Sequence, residues 1–205
     1  MSAPDINKCK RVLVVEGYSD LLFFAEALEC CGNLEGVFIK EMKGKGDLVT
    51  KLETFLRPDL LAEKAAIAVI ADADANASGT VASLESRLSS ITGQGVKDGR
   101  WTVGPPRLGL FIVPGNGRAG EIESLVWDAW SSDPVHGGAR TCVETFLEGM
   151  AGQGHSAKSP DKGRIGALLS VLNDEDPRLG PGARARVFDF SRPQLEPLFT
   201  FLRHL

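Results

Sequence analysis

Val12-Leu13-Val14-Val15-Glu16-Gly17-Tyr18-Ser19-Asp20 is the stretch that decides the fold. Four apolar residues run without interruption and stop at an acid. A short run of this kind predicts a strand buried on both faces, as in a parallel sheet. The arrangement recurs downstream, where Ala66-Ile67-Ala68-Val69-Ile70 leads to Asp72-Ala73-Asp74. Parallel α/β sheets gather ligands beyond the carboxyl ends of their strands. Glu16, Asp72 and Asp74 are therefore expected on one edge of one sheet. Carboxylates crowded together repel each other, and a divalent cation between them removes the conflict. Oxygen-only ligands suit Mg²⁺ or Mn²⁺.

Working outward, the spacing predicts a helix over 19–30, with Leu21, Phe24, Ala25 and Leu28 on one face and Ser19 or Asp20 as its cap. Gly17 is expected to let the chain turn tightly after the strand. A second strand fits 37–42. Lys43-Gly44-Lys45-Gly46-Asp47 then reads as a loop, with Asp47 capping a helix that carries Leu48, Leu52, Phe55 and Leu56. Strand three covers 66–70 and a helix follows over 80–91. The segment 93–107 is rich in Gly and Pro and reads as a loop with a short edge strand at 101–103. Strand four covers 108–113. Such alternation predicts a parallel sheet with right-handed crossovers.

Beyond Pro114-Gly115-Asn116-Gly117 the pattern turns helical. Ile122, Leu125, Val126, Ala129 and Trp130 recur at i, i+3, i+4, i+7 and i+8, predicting a helix over 121–131. Further helices are expected around Val143, Phe146, Leu147 and Met150, and around Ile165, Leu168, Leu169 and Leu172. Residues 177–182 read as a Pro/Gly-rich loop. Pro197 would break a helix begun at Ser191, so the last helix is placed from Glu196. The expected organisation is α/β: a core over 9–118 with a mainly parallel four-stranded central sheet, and a helical C-terminal extension over 119–205 packed on that core.

Bulk composition narrows the classes. The 23 basic and 27 acidic residues give a net charge of −4, which argues against a protein held to nucleic acid by overall charge. A local basic groove is still compatible with that balance. Cys9, Cys30, Cys31 and Cys142 form no Cys-x-x-Cys pair, and His136, His155 and His204 are scattered, which disfavours zinc. No signal-peptide pattern or membrane-length apolar run is present, so a cytoplasmic protein without a membrane partner is expected.

Glu-Gly-x-x-Asp after one strand and Asp-x-Asp after a later one resembles the signature of the Toprim family, over roughly the first half of the chain. Toprim domains occur in primases, topoisomerases, small RNA-maturation nucleases, recombination-repair proteins and OLD-family nucleases. The resemblance implies a Toprim-like three-layer fold and Mg²⁺- or Mn²⁺-dependent cleavage of phosphodiester bonds in DNA or RNA. It also implies roles: Glu16 as general acid or base or shared ligand, Asp72 and Asp74 as metal ligands, and Asp20 as an outer ligand. In nuclease-type members a further acid joins the site, a part assigned here to Glu123. Many OLD proteins carry an ATPase on the same chain. This chain has no Walker A motif, so an ATPase would be a separate partner, and oligomer formation is left open.

Each residue also has a plainer explanation. Glu16 and Asp20 could serve only the following helix, whose dipole favours acids at its start. Asp72 and Asp74 could mark a turn. Yet a turn needs no pair of aspartates, and residues i and i+2 leaving a strand face the same side. Glu121 and Glu123 are both explained as first-turn acids, and for Glu121 that explanation is preferred. Lys43, Lys45, Lys158, Lys162 and Arg164 are candidate phosphate contacts, although a solvated loop accounts for any one of them. Trp101, Trp127 and Trp130 are expected to pack. Tyr18 is the sole tyrosine, which disfavours a stand-alone topoisomerase. The rival readings are a non-catalytic or partner-activated module that binds metal or nucleotide, and a primase-like nucleotidyltransferase.

Overall fold

A computed structural model describes residues 5–205 of the chain. The apolar runs do form the centre of a parallel sheet. Its strands are β1 (Arg11–Val15), β2 (Val37–Glu41), β3 (Ala66–Asp72), β4 (Arg100–Trp101) and β5 (Arg107–Val113), in the spatial order β2-β1-β3-β5-β4. All neighbours are parallel except β4, which runs antiparallel along β5. The helices are α1 (Tyr18–Cys30), α2 (Lys45–Phe55), α3 (Pro58–Glu63), α4 (Ala77–Thr92), α5 (Ile122–Ser131), α6 (Gly137–Gly152), α7 (Pro160–Leu172), α8 (Leu179–Arg184) and α9 (Glu196–Arg203).

Two cores sandwich the sheet, as the period-two alternation of side chains requires. Leu13, Val15, Ala68, Ile70, Phe111 and Val113 face α1, α5, α7, α8 and α9. Val12, Val14, Ile67, Val69, Leu108, Leu110 and Ile112 face α2 and α4. The helices after β5 thus share one core with the sheet and α1. Asn33 donates to the Leu202 carbonyl at 2.8 Å, and the Trp101 indole donates to the Phe201 carbonyl at 3.2 Å. Trp101 also stacks on Phe201, with ring centroids 4.9 Å apart, so α9 covers the outer strand.

Several local expectations are corrected. The sheet has five strands rather than four, because the short edge strand pairs at 100–101. α2 begins at Lys45, so Asp47 lies in its first turn and Gly44 takes the cap position. Gly17 is extended (φ −140, ψ 178) and its N–H donates to the Asp20 carboxylate at 2.8 Å. It makes no turn that glycine alone permits. On α6, Phe146 stands exposed and no residue is buried, because periodicity marks an apolar face without saying what covers it.

The largest difference is α8, in the stretch read as a loop. Pro181 falls in its first turn, where the missing N–H costs nothing. Gly180 and Gly182 then allow a closer approach than any side chain would. A Cβ on Gly180 would lie 2.4 Å from the Ser19 carbonyl oxygen of α1, and one on Gly182 would lie 2.7 Å from Leu169. The Gly180 N–H donates to Ser19 Oγ at 3.1 Å, which locks the contact. Gly180→Ala is expected to cost about 1–3 kcal/mol through forced separation of α1 and α8. A urea unfolding midpoint no lower than wild type would contradict this packing.

Candidate metal centre

Three loops meet at the carboxyl edge of the sheet: the one after β1, the one after β3 and the one before α5. Two backbone hydrogen bonds of 2.8 Å join the last two, from Asp74 N–H to the Gly120 carbonyl and from Gly120 N–H to the Asp74 carbonyl. Gly120 has φ +132, and a Cβ there would lie 2.7 Å from Ser124 Oγ. Only glycine fits that position without strain. This clasp sets Glu121 beside the end of β3.

Asp72 links the parts. Its N–H donates to Glu16 Oε1 at 3.0 Å, and its Oδ1 accepts the Ile122 N–H of α5 at 3.0 Å. One carboxylate oxygen from each of Asp72, Glu121 and Glu123 lies within 4.8 Å of the others. Glu123 is only 9% exposed, and its Oε2 has no hydrogen-bond partner. A carboxylate oxygen held from water without a partner is costly. An oxygen-only cluster with such an atom fits a hard divalent cation, which would supply the missing partner. Asp72, Glu121 and Glu123 are the residues placed to hold one.

The protonation energetics agree. Burial pushes the Asp72 carboxyl well above its ordinary value, and repulsion from Glu16, Asp20 and Glu123 adds to it. Burial raises Glu123 to about 7, although Lys162 pulls the other way. Glu16 and Asp20 are also raised by burial, opposed by the hydrogen bonds from Asp72 N–H and Gly17 N–H. These groups are poorly solvated as anions, which is the condition a bound cation relieves.

The remaining candidates are distributed as follows. β3 stops at Asp72, and Asp74 adopts left-handed backbone (φ 52). Residues i and i+2 share a side only while the backbone stays extended, so Asp74 turns to an ion pair with Lys45 and stands outside the group of three. Lys45 Nζ also donates to the Asp72 carbonyl at 3.0 Å and to Thr80 Oγ1 at 3.3 Å. Asp20 reaches back to Gly17 N–H as a helix cap. Lys162 of α7 pairs with Glu121. Lys43 and Lys158 are exposed. Arg164 pairs with Asp161 and lies 5.9 Å from the Trp127 ring centroid. Glu121 is the member of the group of three for which the helix dipole already offers a sufficient explanation in the sequence. Its position beside Asp72 depends on the pairing of two distant loops, and Gly120 is the one trace of that pairing in the sequence.

Fold and edge together define a three-layer α/β protein with a partly buried acidic cluster at the carboxyl end of its sheet. The chain belongs to the family described as "Protein of unknown function (DUF3226)", whose profile matches residues 10–205. That match runs through both the sheet and the C-terminal helices. No curated protein and no solved structure matches the chain.

Proposed function

We propose that the acidic edge is a divalent-cation centre, and that the protein uses it to cleave phosphodiester bonds in nucleic acid as a Toprim-type nuclease. The observation that carries the metal reading is the buried, unpartnered Oε2 of Glu123 within the Asp72–Glu121–Glu123 group. The choice of phosphodiester chemistry rests on the Glu16-Gly17-x-x-Asp20 and Asp72-x-Asp74 motifs. When bound, Mg²⁺ or Mn²⁺ would neutralise a phosphate and polarise it towards attack.

The protein's own groups supply the rest. Glu16 has one carboxylate oxygen fixed by the Asp72 N–H and a pKa raised by burial. A carboxyl shifted in that direction exchanges a proton more readily near neutrality, as a general acid or base must. Asp72 orients α5 through Ile122 N–H, keeping Glu121 and Glu123 turned to the same point. Asp161, which accepts a hydrogen bond from Ser124 Oγ at 2.6 Å, ties α7 to α5 and closes the site on the helical side.

The test is cleavage of supercoiled plasmid and of structured RNA with Mg²⁺ or Mn²⁺, against EDTA. Cation-dependent cutting of either substrate is expected. A second reading has its own support: Lys45 and Lys162, which reach the centre, are each engaged by an acid, so neither is free to meet a phosphate. A folded protein that takes up cation but cuts neither substrate would favour that reading, a module activated by a partner.

A further inference from the structure

Lys162 reaches the acidic centre from α7, an element separate from the three loops that build the centre. Its ammonium meets Glu121 Oε2. Burial works against the lysine's charge, yet the bond to Glu121 and the charges of Glu123 and Asp72 more than offset it, and its proton is held more tightly than in ordinary lysine. The helix beneath is fixed. Ile165, Leu168 and Leu169 are buried in the core, Ser159 caps the first turn, and Asp161 is bonded to Ser124. The lysine side chain itself is 56% exposed, against 13% for Glu121. The backbone is thus anchored while the ammonium sits on a flexible four-carbon stem with water on its other side.

Resting on the metal reading above, we propose that Lys162 is the built-in counterion of the cation-free centre, and that a divalent cation displaces it from Glu121. One ammonium neutralises only part of the cluster and leaves Glu123 Oε2 without a partner. A doubly charged ion offers stronger attraction at the same distance and accepts several oxygens at once. The exchange needs a change of side-chain rotamer and no movement of α7. Lysine and cation compete for the same carboxylate, so the lysine sets a threshold of cation concentration for filling the site. Once released, the ammonium stands at the solvent side of the centre, free to meet an anionic substrate.

Calorimetric titration with Mn²⁺ at about 0.15 M salt tests the exchange, where exposed charges beyond roughly 8 Å are screened. Lys162→Met keeps the apolar stem and suits a helix. It is expected to bind Mn²⁺ about tenfold more tightly than wild type, the scale of one charge-assisted hydrogen bond removed from competition. Lys158→Met, with the same charge change but no carboxylate contact, is expected to match wild type. Wild-type uptake with equal or weaker binding by Lys162→Met overturns the exchange and leaves the metal reading standing. Equal tightening in both variants reduces the effect to net charge and also overturns it. Absence of Mn²⁺ uptake in all three proteins overturns the metal reading and this proposal together. Far-UV circular dichroism confirms that each variant is folded.

Discussion

Glu123→Gln is expected to stabilise the cation-free protein at about pH 8 by roughly 1–3 kcal/mol and, on the proposed cation reading, to abolish the stabilisation by Mn²⁺ expected of wild type. The folded pKa of Glu123, about 7, lies above the ordinary 4.5. A group raised in this way binds its proton more tightly when folded. Its contribution to stability is complete below the unfolded value and is lost as pH rises through the folded one. The window therefore runs from about pH 4.5 to just above pH 7. Asp72, Glu16 and Asp20 are raised too and act in the same direction. Cation-free wild type should unfold at lower temperature as pH increases across this range. Gln removes the ionisation but remains a buried polar group, which is why the gain falls short of the full shift. Added Mn²⁺ should restore wild type most strongly at the upper end, where the ligands are already deprotonated. Thermal unfolding of both proteins across the range, with and without Mn²⁺, measures every part of this. A stability profile that rises with pH would contradict the assigned electrostatics.

On the proposed nuclease reading, Asp72→Asn and Glu16→Gln are each expected to lower the cleavage rate by about 10²–10⁴-fold while leaving the fold intact. Both replacements preserve shape and the hydrogen bonds that position the loops. An Asn at 72 still accepts from Ile122 N–H, and a Gln at 16 still accepts from Asp72 N–H. What is lost is negative charge at the centre in one variant and proton transfer in the other. The distinction is visible in cation dependence. Raising Mn²⁺ should recover part of the Asp72→Asn activity, since weaker binding follows mass action. It should recover none of the Glu16→Gln activity. Steady-state cleavage against Mn²⁺ concentration separates the two, and equal recovery in both would remove the separate roles.

The two strands bearing Glu16 and Asp72 were legible because each is an apolar run buried on both faces, and each stops at an acid. Glu123 enters through the family resemblance, and one of its carboxylate oxygens lies within 4.8 Å of those of Asp72 and Glu121. Glu121 was not singled out, since the helix dipole already explains an acid in its position. Its partner Asp72 lies 49 residues earlier (121 minus 72), and the Asp74–Gly120 clasp that brings them together leaves no periodic trace. Asp74 shows the opposite effect. Local spacing suggested a shared side with Asp72, but one left-handed residue re-aimed its carboxylate to Lys45. α8 is hidden because Gly and Pro disfavour a helix locally, whereas its close contacts require those glycines, Gly180 against α1 and Gly182 against Leu169 of α7. In each case a long-range contact outweighed a local preference.

The most direct measurement is electron paramagnetic resonance of Mn²⁺ titrated into wild type and into Asp72→Asn at about pH 8. Protein-bound Mn²⁺ loses the sharp signal of the free ion. The account predicts that wild type removes this signal at concentrations at which Asp72→Asn leaves most Mn²⁺ free. Mn²⁺ remaining free with wild type, or bound equally by both proteins, would contradict a cation centre at the acidic edge of the sheet.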